Sequence, residues 1–90
     1  MPNVPPTTDA IASIIAQLLR ARAADASICP SEVARVLAPD HWRDLMPQIR
    51  AVAAELASVG SLRITQGEIE IAPAALLAGH THGPIRLRRR

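Results

Sequence analysis

The stretch Leu62-Arg63-Ile64-Thr65-Gln66-Gly67-Glu68-Ile69-Glu70-Ile71 is where the chain changes from a helical to an extended period. Leu62 to Thr65 alternates apolar and polar side chains, the pattern of a half-buried strand. Gln66-Gly67 is a turn signal, and Glu68 to Ile71 alternates again. The pattern alone leaves two options for that second run, a paired strand or the loop of a wing. Just before the stretch, Gly60 is the expected left-handed stop of a helix. Just after it, Pro73 breaks the alternation, Ala74 to Ala78 fits one helical turn closed by Gly79, and Gly83-Pro84 restarts the chain. Ile85-Arg86-Leu87-Arg88 alternates as a last strand.

Upstream the apolar spacing is helical. Ile49, Val52, Ala53, Leu56 and Val59 form the core stripe of a third helix, with Pro47 in its first turn. A second helix starts at Cys29-Pro30-Ser31-Glu32, where Pro and Glu stand as the first and third helical residues. Its N-cap is Cys29 or Ser31, its apolar side is Val33, Val36 and Leu37, and Pro39 ends it. Between these helices, Asp40 suits the cap of a turn holding His41, Trp42 and Arg43. Ala26-Ser27-Ile28 reads as a brief strand. A first helix, capped by Thr7 or Thr8 and running to about Ala24, presents Ile11, Ile14, Ile15, Leu18 and Leu19 on one face. Helix, short strand, helix, helix, strand, wing, strand is the order of an α+β winged helix: a three-helix core containing a helix-turn-helix, and a small antiparallel β-sheet with a wing. Residues 1–8 read as an extended N-terminal arm and 9–90 as one winged-helix domain.

Ninety residues suffice for one core. Although 49% of the residues are hydrophobic, Phe and Tyr are absent and Trp42 is the only aromatic, so the core lacks aromatic area. Stability of about 5 kcal/mol, or help from a partner chain, is the expectation. Every basic side chain is Arg, a usage that reads as coding bias before function. The net charge of +2 is asymmetric: residues 1–85 carry six Arg against eight acids, a balance of −2, and Arg86, Arg88, Arg89 and Arg90 reverse it. A body built to coat nucleic acid is usually basic over a whole face. The lone Cys29 excludes an internal disulfide and suits a reducing compartment. With no signal-peptide pattern at the start and no apolar run near the ~20 residues of a membrane span, the expected location is cytoplasmic, away from membranes.

Four stretches carry a family resemblance: Ile28-Cys29-Pro30-Ser31-Glu32-Val33-Ala34-Arg35, Trp42-Arg43-Asp44-Leu45-Met46-Pro47, Ile64-Thr65-Gln66-Gly67 and Gly83-Pro84-Ile85-Arg86-Leu87. With them the chain resembles a bacterial family of small proteins, domain of unknown function 3253, over nearly its whole length from about Asp9. The resemblance implies a winged-helix fold and brings no activity. Cys29 stands where the resemblance leads one to expect Ser, and residues 68–82 are longer and more apolar than the expected wing.

Several residues are candidates for function. A winged helix usually lays its third helix in the major groove. Opposite the core stripe, that helix shows Arg50, Ala51, Ala54 and Ser58, flanked by Gln48 and Glu55. Only Gln48 and Arg50 suit bidentate base contacts, and Glu55 repels phosphate. With Ile64 and Ile85 or Leu87 facing the core, Arg63, Arg86 and Arg88 project outward together. Like charges on neighbouring strands repel, and a phosphate relieves that repulsion. The plain alternative is a solvated arginine face that keeps an edge strand from aggregating. These five residues are the candidate nucleic-acid contacts, with DNA the candidate partner. The second reading is a protein-interaction or homodimerisation domain without DNA binding, associating through the small-residue face Ala51, Ala54 and Ser58; helix propensity alone also explains those residues.

Chemistry is less supported. His80-Thr81-His82, with His41 or Cys29, lacks the paired ligand spacing of structural zinc. Cys29 at a helix N-terminus has the setting of a lowered thiol pKa, yet no base is evident in the sequence, and a small buried hydrophobe is its ordinary role. No phosphate loop, Ser-His-Asp pattern or carboxylate pair occurs. The expectation is therefore no enzyme, no metal and no cofactor. Trp42 reads as a core-closing residue whose indole N–H meets a backbone carbonyl, and Arg43 as a clamp on Asp40 or Glu32.

Overall fold

The computed structural model describes residues 6–79 and 83–90. Residues 1–5 of the expected arm and the His80-Thr81-His82 candidate lie outside the described residues. The chain forms α1 (Thr8–Arg20), β1 (Ser27–Ile28), α2 (Pro30–Leu37), a 3₁₀ turn (Trp42–Leu45), α3 (Met46–Ser58), β2 (Leu62–Gln66), β3 (Ile69–Ile71), α4 (Pro73–Leu77) and β4 (Arg86–Arg89). The fold is α+β, with one antiparallel sheet in the order β1-β4-β2-β3.

The helix starts follow local chemistry. Thr7 caps α1, its hydroxyl accepting from the Ala10 N–H at 3.1 Å. Cys29 is the N-cap of α2 and Pro30 its first residue, and the Cys29 N–H donates to the Glu32 carboxylate at 2.7 Å. This is half of a capping box, and it satisfies a donor that the helix itself leaves open. At the end of α3, Gly60 takes φ +79, where an L side chain is strained. The Ser61 N–H reaches the Leu56 carbonyl and the Gly60 N–H that of Ala57, a Schellman closure.

Strand register decides which side chains share a face. Ile28 lies opposite Leu87, Leu87 opposite Ile64 and Ile64 opposite Ile71. That row looks into the core, where Ile28, Ile64 and Leu87 are fully buried with Ile11, Ile15, Val33 and Ile49. Side chains alternate along a strand, so the neighbouring rows look the other way: Ser27 beside Arg88 beside Arg63, and Arg86 beside Thr65 beside Glu70.

Some expectations change. The run at 68–71 is a paired strand, with Gln66 opposite Ile69 across a two-residue turn whose Gly67 has φ +61. α1 ends at Arg20 rather than near Ala24, because the chain must turn back to reach β1. Val36 and Val59, expected inside, are 53% and 72% exposed. Ala34 and Ala54 are buried in their place, so both helices are rotated towards their small residues. Ala34 and Ala53 are 0% exposed and the α2 and α3 helices are in contact, so closely approaching backbones fill space that aromatic rings fill elsewhere.

α4 changes α3 most. It packs against α3, with Leu76 in the core. Ala51 shares a hollow with Leu76 and Leu77, which places α4 over the arc that the sequence pattern leaves open. Ala54, in the middle of that arc, is 0% exposed, while Ala51 and Ser58 are exposed. Ala51, Ala54 and Ser58 therefore do not form one association surface. The reason is that Leu76, on a five-residue helix, finds its burial against α3.

Candidate arginine face and the Trp42 turn

The expected grouping of Arg63, Arg86 and Arg88 on one face of the sheet is present in the strand register. The hydrogen bonding of these side chains was not legible in the sequence. The Arg63 Nε donates to the Arg89 carbonyl at 3.2 Å. The Arg86 guanidinium donates to the Ser27 hydroxyl at 2.8 Å and to the Ser27 carbonyl at 3.3 Å. Arg88 donates to the Thr65 hydroxyl at 3.1 Å and the Asp25 carbonyl at 2.9 Å. Thr65 is the buried polar residue of this face, at 3% exposure, covered where the arginine stems cross the sheet.

Three further arginines complete this network. Arg89 lies on the core side opposite Leu62 and donates to the Leu19 carbonyl at 2.7 Å, in the last turn of α1. A cation there meets the negative end of the helix dipole and serves a carbonyl the helix leaves open. Arg22 forms a two-pronged ion pair with Glu32 and also donates to the Ser27 carbonyl at 3.3 Å. The Glu32 carboxyl is held below the usual carboxylate range, chiefly by the hydrogen bonds from Arg22; partial burial opposes this, and the Cys29 N–H and the charges of Arg22 and Arg86 add to it. The Arg22 guanidinium is correspondingly held above its usual value, chiefly by its bonds to Glu32. Arg90 pairs with Glu70 at 3.1 Å. Residues 21–27, joining α1 to β1, are thus fastened by guanidinium groups from β4 and from the segment itself.

The candidates on α3 differ from one another. Gln48 is not a free reader: its amide donates to the Pro6 carbonyl at 2.6 Å and ties the start of the described chain to α3. Arg50 is exposed and donates to no described residue. It forms the ridge between two hollows. One, of about 290 Å³, is lined by Met46, Pro47, Ala51, Leu76 and Leu77 as well. The other, of about 230 Å³, lies among Cys29, Pro30, Ser31, Trp42, Met46, Pro84 and Ile85.

Trp42 is partly buried against the core, as expected. Its indole N–H meets no acceptor among the described residues. Instead the Arg35 guanidinium lies 4.5 Å from the ring centroid and that of Arg43 4.7 Å. Arg43 is therefore not a clamp on Asp40 or Glu32; Glu32 is already held by Arg22. Cys29 is half-buried and free of any disulfide. Among the described residues no three His, Cys, Asp or Glu gather where they could hold a metal ion, and no helix is long and apolar enough to cross a membrane.

What the fold and site define is a small α+β domain whose sheet end is laced by arginines. The family model described as protein of unknown function (DUF3253) matches residues 8–90, and the chain belongs to that family. No curated protein matches the chain.

Proposed function

We propose that the protein is a winged-helix module that binds duplex nucleic acid by its phosphate backbone. The fold reading is supported by the element order and by the hairpin of β2 and β3 following a helix-turn-helix pair. β4, between β1 and β2, supplies the return strand of such a sheet. The functional reading rests on one observation. Arg63, Arg86 and Arg88 share a face in adjacent register, and all three donate to neutral acceptors. A carbonyl or hydroxyl holds a guanidinium in place without cancelling its charge. Three fixed cations on one face of a sheet, none of them in an ion pair, suit a row of phosphates.

Sequence reading by α3 has less support, because α4 covers the centre of its outward face and Gln48 is engaged. The reading is therefore of backbone contact, with no enzymatic step. The test is binding to a short duplex over a range of salt. Each phosphate contact contributes about one to the slope of log K against log salt, so Arg63→Ala with Arg86→Ala lowers the slope by about two. Absence of binding at low salt, or an unchanged slope in the double variant, overturns the proposal.

A further inference from the structure

We infer that the hollow bounded by Ser31, Trp42 and Arg50 is a second anion site, one that takes a phosphate group. It does not rest on the sheet-face reading. Arg35, Arg43 and Arg50 donate no hydrogen bond and form no ion pair among the described residues, in contrast to every arginine of the sheet end. Arg35 and Arg43 are both within 5 Å of one ring centroid, 4.5 and 4.7 Å away, so two unpaired positive charges gather at Trp42. Arg35 stands one helical turn beyond Ser31 on the same face of α2. Ser31 lines the hollow of about 230 Å³ that Trp42 and Arg50 also line. The Arg50 guanidinium and Ser31 thus border a space walled by Trp42, Met46, Pro84 and Ile85, and the Arg35 guanidinium lies over the Trp42 ring that forms one of those walls.

The chemistry of the walls selects the anion. None of the residues lining this hollow is acidic. The hollow on the other side of Trp42 contains Asp40 and Asp44 and disfavours an anion. A carboxylate has two coplanar oxygens, which one guanidinium fork satisfies. A phosphate presents oxygens in several directions and uses the Arg50 guanidinium and the Ser31 hydroxyl together, with the charge of Arg35 over the Trp42 ring adding to the attraction. The apolar walls accept whatever the phosphate is attached to, and a hollow of this volume admits a phosphate with a small substituent. The source is a free phosphorylated compound or a nucleic-acid backbone.

Trp42 is the only Trp, and Tyr is absent, so intrinsic fluorescence reports on this site directly. The experiment titrates the full chain with inorganic pyrophosphate, with a short DNA duplex and with polyglutamate, each against potassium chloride of matched ionic strength. A saturable change in Trp42 emission with pyrophosphate or duplex is expected, and whichever of the two saturates names the source. Arg50→Ala weakens it by about tenfold, the loss of a charged hydrogen bond, and Arg35→Ala weakens it by less, the loss of a nearby charge. Arg20→Ala, an exposed arginine on α1, leaves it unchanged. Because Arg35 and Arg50 are exposed, both variants keep the fold, which the unfolding midpoint verifies. The proposal is overturned by a response no larger than that to chloride, by saturation with polyglutamate instead, or by full binding in both variants. A result here is independent of the Arg63 and Arg86 salt slope, so either proposal can fail alone.

Discussion

The two ends of this molecule use the same side chain in opposite ways. At the sheet end, Arg22, Arg63, Arg86, Arg88, Arg89 and Arg90 all donate to protein acceptors. At the helix-turn end, Arg35, Arg43 and Arg50 donate to none of the described residues, and two of them rest on the Trp42 ring. The difference follows from what each end leaves unsatisfied. Strands and the segment at 21–27 expose carbonyls that need donors, and β4 runs beside them. The turn before α3 has its backbone bonded locally, with the Asp44 N–H on the His41 carbonyl, and Arg35 and Arg50 stand on helices whose carbonyls are taken up by their own N–H groups. Arginine is thus held in place by protein acceptors at one end and left without them at the other.

The largest expected effect concerns the boundary between these ends. Leu76 is 5% exposed and anchors α4 on α3, so Leu76→Ala costs about 2–4 kcal/mol in denaturant unfolding. Amide exchange of α3 then rises around Ala54; an unprotected wild-type Ala54 would mean that α4 does not cover it. Next is the sheet end. Arg89→Ala removes the bonds to the Leu19 and Arg22 carbonyls and is expected to lower stability by about 1–2 kcal/mol, read from chemical unfolding. A neutral result would erase the contrast between the ends.

A smaller effect is pH-dependent. Because the folded carboxyl of Glu32 titrates below its unfolded value, its contribution is complete above the ordinary carboxylate range, near about 4.3, and is lost as the pH falls through the folded value. The side chains of Arg22 and Glu32 are 37% and 31% exposed, so solvent screening keeps the gain modest. Glu32→Gln should flatten the acid limb of the unfolding midpoint plotted against pH, and an unaltered limb would assign that limb to other carboxylates. The smallest effect is at the helix-turn end. Arg35→Ala and Arg50→Ala should each change stability by less than about 0.5 kcal/mol, while weakening anion binding. A larger loss in either would place that arginine with the structural set.

Much of the layout was legible in the chain because it depends on neighbours. Thr7 caps α1, Cys29 and Glu32 close the start of α2, and Gly60 ends α3, each within a few residues of its partner. The common face of Arg63, Arg86 and Arg88 followed from alternation on two strands. The partners of those arginines were not legible, because Ser27 and Asp25 lie about sixty residues from Arg86 and Arg88 and no periodicity links them. Arg35 gave no signal that it meets Trp42, because that contact joins α2 to the turn after it and no periodicity links the two.

The amino-acid sequence by itself determined where the main helices start, where α3 stops and which side chains alternate, since those are set by caps, turns and local spacing. Tertiary structure decided what each face meets. Helical spacing showed Ala54 on the outward arc of α3, and only the packing of other elements on that helix buried it. Alternation put three arginines on one face of the sheet, and only the approach of β1 and the end of α1 turned them into donors for particular carbonyls. Burial and hydrogen-bond partnership belong to pairs of elements distant in the chain, and a local pattern carries no record of them.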